Sequence, residues 1–305
     1  MRAKHPLADW LLLMALVVLW GSSFALNKIA LTAIPPVSLV AYRLGLAAVL
    51  LAGAAFYLRH SLRLHWRQWW FFLLLALIGN CIPFFLISWG QLVIDSALAG
   101  ILMAIMPLMT LLLTHLFLRE EALGAGDAIG FALGFGGIIL LVGPDALDRL
   151  GGDTLLAQLA VLFGAVCYAV NAVLARFNRE NRPVVTSAGV MIAATLVMAP
   201  VALWHDPIGK LDIGFAPALA ATALGMLGTA LATLVFFKLI DSAGPAFLSL
   251  NNYLIPVWAV MIGAVFLDEQ LDWTAYAALA LILIGIGLSQ FTARRKDIPP
   301  VGQAD

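Results

Sequence analysis

"GILMAIMPLMTLLLTHLFLREEAL", residues 100–123, returns in outline as "SLNNYLIPVWAVMIGAVFLDEQL", residues 249–271. Each stretch carries a proline inside an apolar run, Pro107 and Pro256. Each ends on an acidic residue, Glu120 and Glu269, and both pairs lie 149 residues apart. A fainter echo links "FALN" (24–27) to "YAVN" (168–171), pairing Asn27 with Asn171 at a separation of 144. The chain therefore reads as one unit written twice. A run of about 20 apolar residues crosses a bilayer as a helix, so the number of such runs per unit decides the architecture.

Working outward, apolar segments fall at 9–30, 37–58, 68–90, 94–118, 125–143, 154–176, 185–205, 215–239, 246–267 and 273–292. Ten helices follow, five in each unit. The composition agrees: 63% of the residues are hydrophobic and 11% charged, against roughly 25% charged in soluble domains. Helices satisfy every backbone polar group within their own segment, and the short alternating strands of a β-barrel do not occur in the pattern. The first run, Trp10–Ile29, exceeds the apolar core of about 7–15 residues of a secretory signal. Pro35-Pro36 follows it rather than a small-residue cleavage site, so it reads as a retained span.

Lys and Arg orient the spans. With the N-terminus in the cytoplasm, thirteen of the seventeen basic residues fall on that side and only Lys28, Arg149 and Lys210 outside; Arg43 lies within helix 2. Both termini are then cytoplasmic. Five is odd, so the second copy enters the membrane from the opposite face. Inverted repeats of this kind mark transporters, with the substrate site near the midplane between the copies. The expectation is an all-α integral membrane protein of ten transmembrane helices, arranged as two inverted five-helix repeats around a central cavity. The repeats would be residues 1–148 and 149–295, with a cytoplasmic tail at 296–305.

Three features carry a family resemblance: "LWGSSFALNKIAL" (19–31), "AYRLGLAAVLL" (41–51), and the Pro-to-Glu pattern of "MPLMTLLLTHLFLREE" (106–121) and "IPVWAVMIGAVFLDEQ" (255–270). In these the chain resembles the EamA family of the drug/metabolite transporter superfamily, over roughly residues 10–292. The resemblance implies a basket of helices around a central cavity, export of amino acids or other small metabolites, and an inner-membrane location. It does not reach a substrate. The first helix of the second half, "LFGAVCYAVNAVLARF" (162–177), lacks the Trp-Gly pair of helix 1.

Polar residues inside spans are costly and face a cavity or a partner. Trp20, Ser23 and Asn27 share one face of helix 1, at three-to-four-residue spacing. Mid-depth Trp20 is far from the interfacial belts where tryptophan usually sits. That face is the expected cavity wall. Ser22, beside Gly21, reads as a packing position, and Lys28 as a side chain snorkelling to the interface. Arg43 is the one basic residue well inside a span. It reads either as an anchor for a substrate carboxylate or as a structural clamp. Asn80 and Phe84 share a face in helix 3, where Pro83 frees a backbone carbonyl one turn earlier. Trp89 and Gln91 read as interfacial by position. Met103, with Met106 and Met109, gives helix 4 an adaptable surface or plain core. Tyr168 and Asn171 share a face of helix 6. Asn251, Asn252 and Tyr253 form the densest polar cluster; adjacent residues point about 100° apart, so one Asn packs and the other, Asn252, lines the cavity.

The cavity is expected between helices 1, 3, 4, 6, 8 and 9, with bending at Pro83, Pro107, Pro256, Gly225 and Gly228. An apolar, aromatic wall with a few amides suits a neutral or zwitterionic ligand. Neutral or aromatic amino acids therefore stand ahead of a drug, purine, organic acid or sugar derivative. Protons are a candidate coupling ion beside facilitated diffusion. The remaining expectations are the lipid bilayer as surroundings, a monomer or homodimer, and no nucleic-acid partner, metal or cofactor. Cys81 and Cys167 read as small core hydrophobes. An intramembrane enzyme or a channel is the remote alternative, for no nucleophile–base pair, metal spacing, filter loop or charged ring is evident.

Overall fold

The computed structural model describes residues 5–118, 124–143, 152–178, 180, 182–206 and 212–296. Glu120, Arg149, Arg179 and Lys210 lie outside these, as do the 148/149 boundary and residues 297–305 of the tail. The described residues are helical throughout the spans. The helices are α1 Leu7–Ala30, α2 Pro36–Tyr57, α3 Trp66–Gly90, α4 Ser96–Phe117, α5 Ala125–Val142, α6 Asp153–Ala175, α7 Pro183–His205 and α8 Phe215–Ala243. They continue as α9 Asn251–Phe266, preceded by the single turn Pro245–Leu248, and α10 Trp273–Lys296. The chain is thus an all-α integral membrane protein with two inverted five-helix repeats.

Equivalent helices of the two repeats pack in pairs at the flanks. α5 lies along α10, and α2 along α7. In the first pair the backbones touch: a Cβ added at Gly130 would stand 2.5 Å from the Gly285 carbonyl oxygen, and the reverse distance is the same. Small residues permit this approach in the membrane. In the second pair Leu44, Leu51 and Met191 are buried together with Phe72 of α3. Both α2 and α7 begin on a proline, Pro36 and Pro183, which fits the first turn because its missing N–H would be unpaired there anyway.

Two helices are interrupted at matching places. α3 carries a π-helical turn at Leu77–Cys81 and α8 one at Met226–Leu231. Their first residues are 149 apart, the same separation as Pro107 and Pro256. In α3 the wide turn directly precedes Pro83, whose ring cannot donate to the carbonyl of residue 79. α8 has no proline at that place. There the Thr229 hydroxyl donates to the Leu224 carbonyl at 2.9 Å, satisfying a group that the wide turn frees. Of the helices expected to bend, α3 and α8 thus carry π turns near Pro83 and at Gly228.

The twin prolines of α4 and α9 behave differently. α4 breaks at residues 104–105, just before Pro107. α9 runs through Pro256 without a break and is interrupted earlier, at residues 249–250.

At the end of the bundle away from the start of α1, carboxylates that follow helix ends cap the starts of other helices. The Glu269 carboxylate accepts from the backbone N–H groups of Ser96 and Ala97 at 2.8 and 2.9 Å, closing the N-terminus of α4. Asp206 accepts from the backbone N–H and hydroxyl of Ser38 at 3.0 and 2.6 Å, closing that of α2. Helix N-termini carry unpaired N–H donors and a partial positive charge. Each carboxylate comes from the second repeat and serves a helix of the first. Burial works to raise the Asp206 pKa, but hydrogen bonds from His205 and Ser38 outweigh it and hold the carboxyl below its ordinary value.

Candidate functional site

A cavity of about 360 Å³ lies between the two repeats. Ten of the eleven residues expected from sequence line it: Trp20, Ser23 and Asn27 of α1, Arg43 of α2, Asn80 and Phe84 of α3, Met103 of α4, Tyr168 and Asn171 of α6, and Asn252 of α9. Asn251 does not. It is 3% exposed, and its carbonyl oxygen has no hydrogen-bond partner. Adjacent helical positions diverge too far for both amides to face one cavity.

The walls are built from the π turns. Gly79 and Gly228, equivalent positions of α3 and α8, each receive a polar side chain from another helix. A Cβ at Gly79 would stand 2.5 Å from Asn171 Cγ, and one at Gly228 would stand 2.6 Å from Ser23 Oγ. These contacts fix the register of α1 against α6. If Gly79 matches Gly228, then Asn171 matches Ser23, at a separation of 148. The expected pairing of Asn27 with Asn171 at 144 is therefore corrected. The counterpart of Trp20 is Tyr168, and that of Asn27 is Ala175. Asn171 lies against the π turn inside α3.

Arg43 sits among aromatic groups. Its Nε donates to Thr229 Oγ1 at 2.7 Å, and its guanidinium carbon lies 3.9 Å from the centroid of the Phe84 ring. Phe84 meets Tyr168 edge-on at 6.3 Å. Further along α8, Phe236 lies 5.5 Å from the Trp20 ring. No carboxylate is among the lining residues. Arg43 also breaks the symmetry of the repeats, for α7, the counterpart of α2, has no charged residue between Val184 and Trp204.

The far end of the cavity is closed by amides. Asn27 Nδ2 donates to Gln91 Oε1 at 2.7 Å, Ser88 Oγ donates to Asn27 Oδ1 at 3.0 Å, and Gln91 Nε2 donates to the Phe24 carbonyl at 3.0 Å. Gln91 is fully buried, which overturns its reading as interfacial. Lys28 is corrected as well. It does not snorkel: its Nζ donates to the carbonyls of Gln91 and Ile94, both at 2.8 Å, capping the C-terminus of α3. At the equivalent positions of the second repeat stand Ala175, Phe237 and Ile240 in place of Asn27, Ser88 and Gln91. The polar latch of the first repeat thus has apolar residues at the matching positions of the second. Ser22 packs as expected, accepting from Trp258 Nε1 at 2.9 Å.

Among the lining residues that sequence reading missed are Phe24, Ser88, Gln91, Thr229 and Thr233. Thr229 was within reach: it stands 149 residues after Asn80, the spacing already given by the prolines. Ser88 and Gln91 gave no such signal, because they sit near a helix end where polar residues are ordinary.

Comparison with known proteins agrees with this architecture. The sequence profile described as the EamA-like transporter family matches residues 9–143 and 155–290. YedA of Escherichia coli K12, described as an uncharacterized inner membrane transporter, is 27% identical over 315 residues, covering 100% of this chain and 99% of its own. YvbV of Bacillus subtilis, described as an uncharacterized transporter, is 26% identical, with 96% of this chain and 94% of its own covered. A solved crystal structure superposes with a TM-score of 0.67 at 23% identity, covering 95% of this chain and 99% of that one; it speaks for the fold alone.

Proposed function

The chain belongs to the EamA-like transporter family, and from that premise of a multi-pass membrane transporter we propose an alternating-access exporter of neutral or aromatic amino acids. The repeats, residues 1–148 and 149–295, rock about the cavity between them. The protein sits in the inner membrane, where its relative YedA is described, with both termini cytoplasmic. The distribution of basic residues supports that orientation.

The observation that carries the substrate reading is the lining of the cavity. It combines the rings of Trp20, Phe84 and Tyr168 with the amides of Asn80, Asn171 and Asn252. The amide oxygens of Asn80 and Asn252, both in that lining, are acceptors for the ammonium of an amino acid. With no carboxylate in the lining, facilitated diffusion is the simpler mode and proton exchange the alternative. An organic acid is the second reading, favoured by Arg43 as the one charge in the lining.

Counterflow tests the proposal. Purified protein in liposomes is loaded with an unlabelled pool of amino acids, organic acids, purines or sugars, and entry of labelled solute is followed. Saturable entry from the amino-acid pool, lost in the Trp20→Ala, Asn252→Ala double variant, supports both substrate class and site. Entry confined to another pool overturns the amino-acid reading.

A further inference from the structure

An arginine that only braces helices is expected to spend its donors on the protein. Arg43 does not. Of its five N–H donors, the Nε donor is taken by Thr229 at 2.7 Å. The terminal nitrogens make no hydrogen bond to any described residue, and neither is sealed inside the protein. One face of the guanidinium is covered by Phe84 at 3.9 Å. Nε is occupied at one edge, so the edge left open is the in-plane pair of terminal nitrogens. That edge matches two carboxylate oxygens in a bidentate pair.

The surroundings favour an anionic partner from outside the protein. The cavity lining contains Arg43 and no carboxylate, and a cation held in a membrane interior is costly without a counter-charge. The Tyr168 hydroxyl, whose ring flanks Phe84, makes no hydrogen bond to a described residue and offers a further donor beside the same spot. Thr229 and Phe84 hold the guanidinium in one orientation, so little side-chain freedom is lost when the ligand arrives.

We propose that Arg43 anchors the substrate through its free carboxylate, with Thr229 and Phe84 as positioning residues. Resting on the amino-acid reading above, this adds a rule of recognition: a free carboxylate is required, and neutral derivatives of the same molecule are rejected. Trp20 stands beside Phe236, seven residues beyond Thr229 on α8 and so about 10 Å along its axis. The apolar side chain of the ligand points that way.

The test is equilibrium binding to the full-length protein in lipid nanodiscs, with three probes: L-phenylalanine, L-phenylalaninamide and 3-phenylpropanoate. Losing a charged hydrogen bond costs about 1.5–3 kcal/mol, so the amide is expected to bind roughly 10-fold to 100-fold more weakly than the amino acid. In Arg43→Gln the two should bind within about twofold of each other, and Arg43→Lys should recover part of the preference because a point charge remains. Thr229→Val leaves the charge in place and should weaken both carboxylate probes severalfold while the preference survives. It keeps the test open if Arg43→Gln does not fold. A bracing role predicts a different result: all three probes weaken together and their ratio is unchanged, which overturns the proposal. Equal binding of phenylalanine and its amide to the unaltered protein overturns it too, and leaves the amino-acid reading standing. Binding of 3-phenylpropanoate alone, dependent on Arg43, has the converse meaning: the anchor holds and the amino-acid reading falls. If no probe binds, both fall.

Discussion

Gly79 and Gly228 stand 149 residues apart in sequence and play the same part in space. Each sits in a π turn and receives a polar side chain from the first helix of the opposite repeat, Asn171 against Gly79 and Ser23 against Gly228. A Cβ at either place would overlap that side chain. Gly228→Ala is expected to cost about 1–3 kcal/mol as an overpacked contact, read as a lower melting temperature in detergent. Adding Ser23→Ala should return most of the loss, because Ser23 Cβ stands 3.7 Å from the added atom. A double variant as unstable as the single one would show that the strain lies elsewhere.

The amide seal between α1 and α3 should behave as a unit. Asn27→Leu leaves the Gln91 amide oxygen and the Ser88 hydroxyl without their buried partner, at about 1–3 kcal/mol. Gln91→Leu should cost a similar amount. The double variant should cost clearly less than the sum, since the second change removes a group the first had already orphaned. Thermal melts of the three variants measure the coupling; strict additivity would mean the two amides act independently.

Asp206 gives the far end a pH dependence. Its carboxyl is held below the ordinary value, mainly through His205 and Ser38 against the opposing effect of burial. A depressed folded-state pKa contributes stability above the unfolded value, about 3.9 for aspartate. That contribution disappears as pH falls through the lower folded value. Melting temperature should therefore decline as pH is lowered from about 5 toward 3. Asp206→Asn should lie below the unaltered protein at neutral pH and approach it on the acid side. Parallel curves across that range would remove Asp206 from the account.

Trp20 supplies an aromatic wall of the cavity and packs beside Phe236. Trp20→Ala should raise the half-saturation concentration for phenylalanine or tryptophan about threefold to tenfold, the loss of one aromatic contact. Alanine transport, if present, should hardly change. Equal loss for both solutes in counterflow would make Trp20 a packing residue.

Much of the polar part of the cavity wall was legible in the primary sequence because the membrane makes polar residues conspicuous. Arg43 and Asn80 each stand out in apolar surroundings, Asn252 belongs to a polar cluster within a span, and ten of the eleven candidates reached the cavity. Gln91 and Lys28 were not legible. Near the end of a span a polar side chain has water or headgroups within reach, and nothing local tells a surface residue from a buried latch. The choice between Asn251 and Asn252 followed from the turn angle of α9, whereas Asn251's missing partner needed coordinates.

The sequence by itself determined the number of spans, their parity, the duplication and the polar face of α1. These follow from hydropathy and spacing along one chain, which record contact with lipid. Only the tertiary structure decided the register between the repeats, moving the partner of Asn171 from Asn27 to Ser23, and the pairing of Arg43 with Thr229 across two helices. Those depend on how far each helix rotates about its axis. A single π turn changes that rotation by a residue without leaving any mark in the apolar pattern.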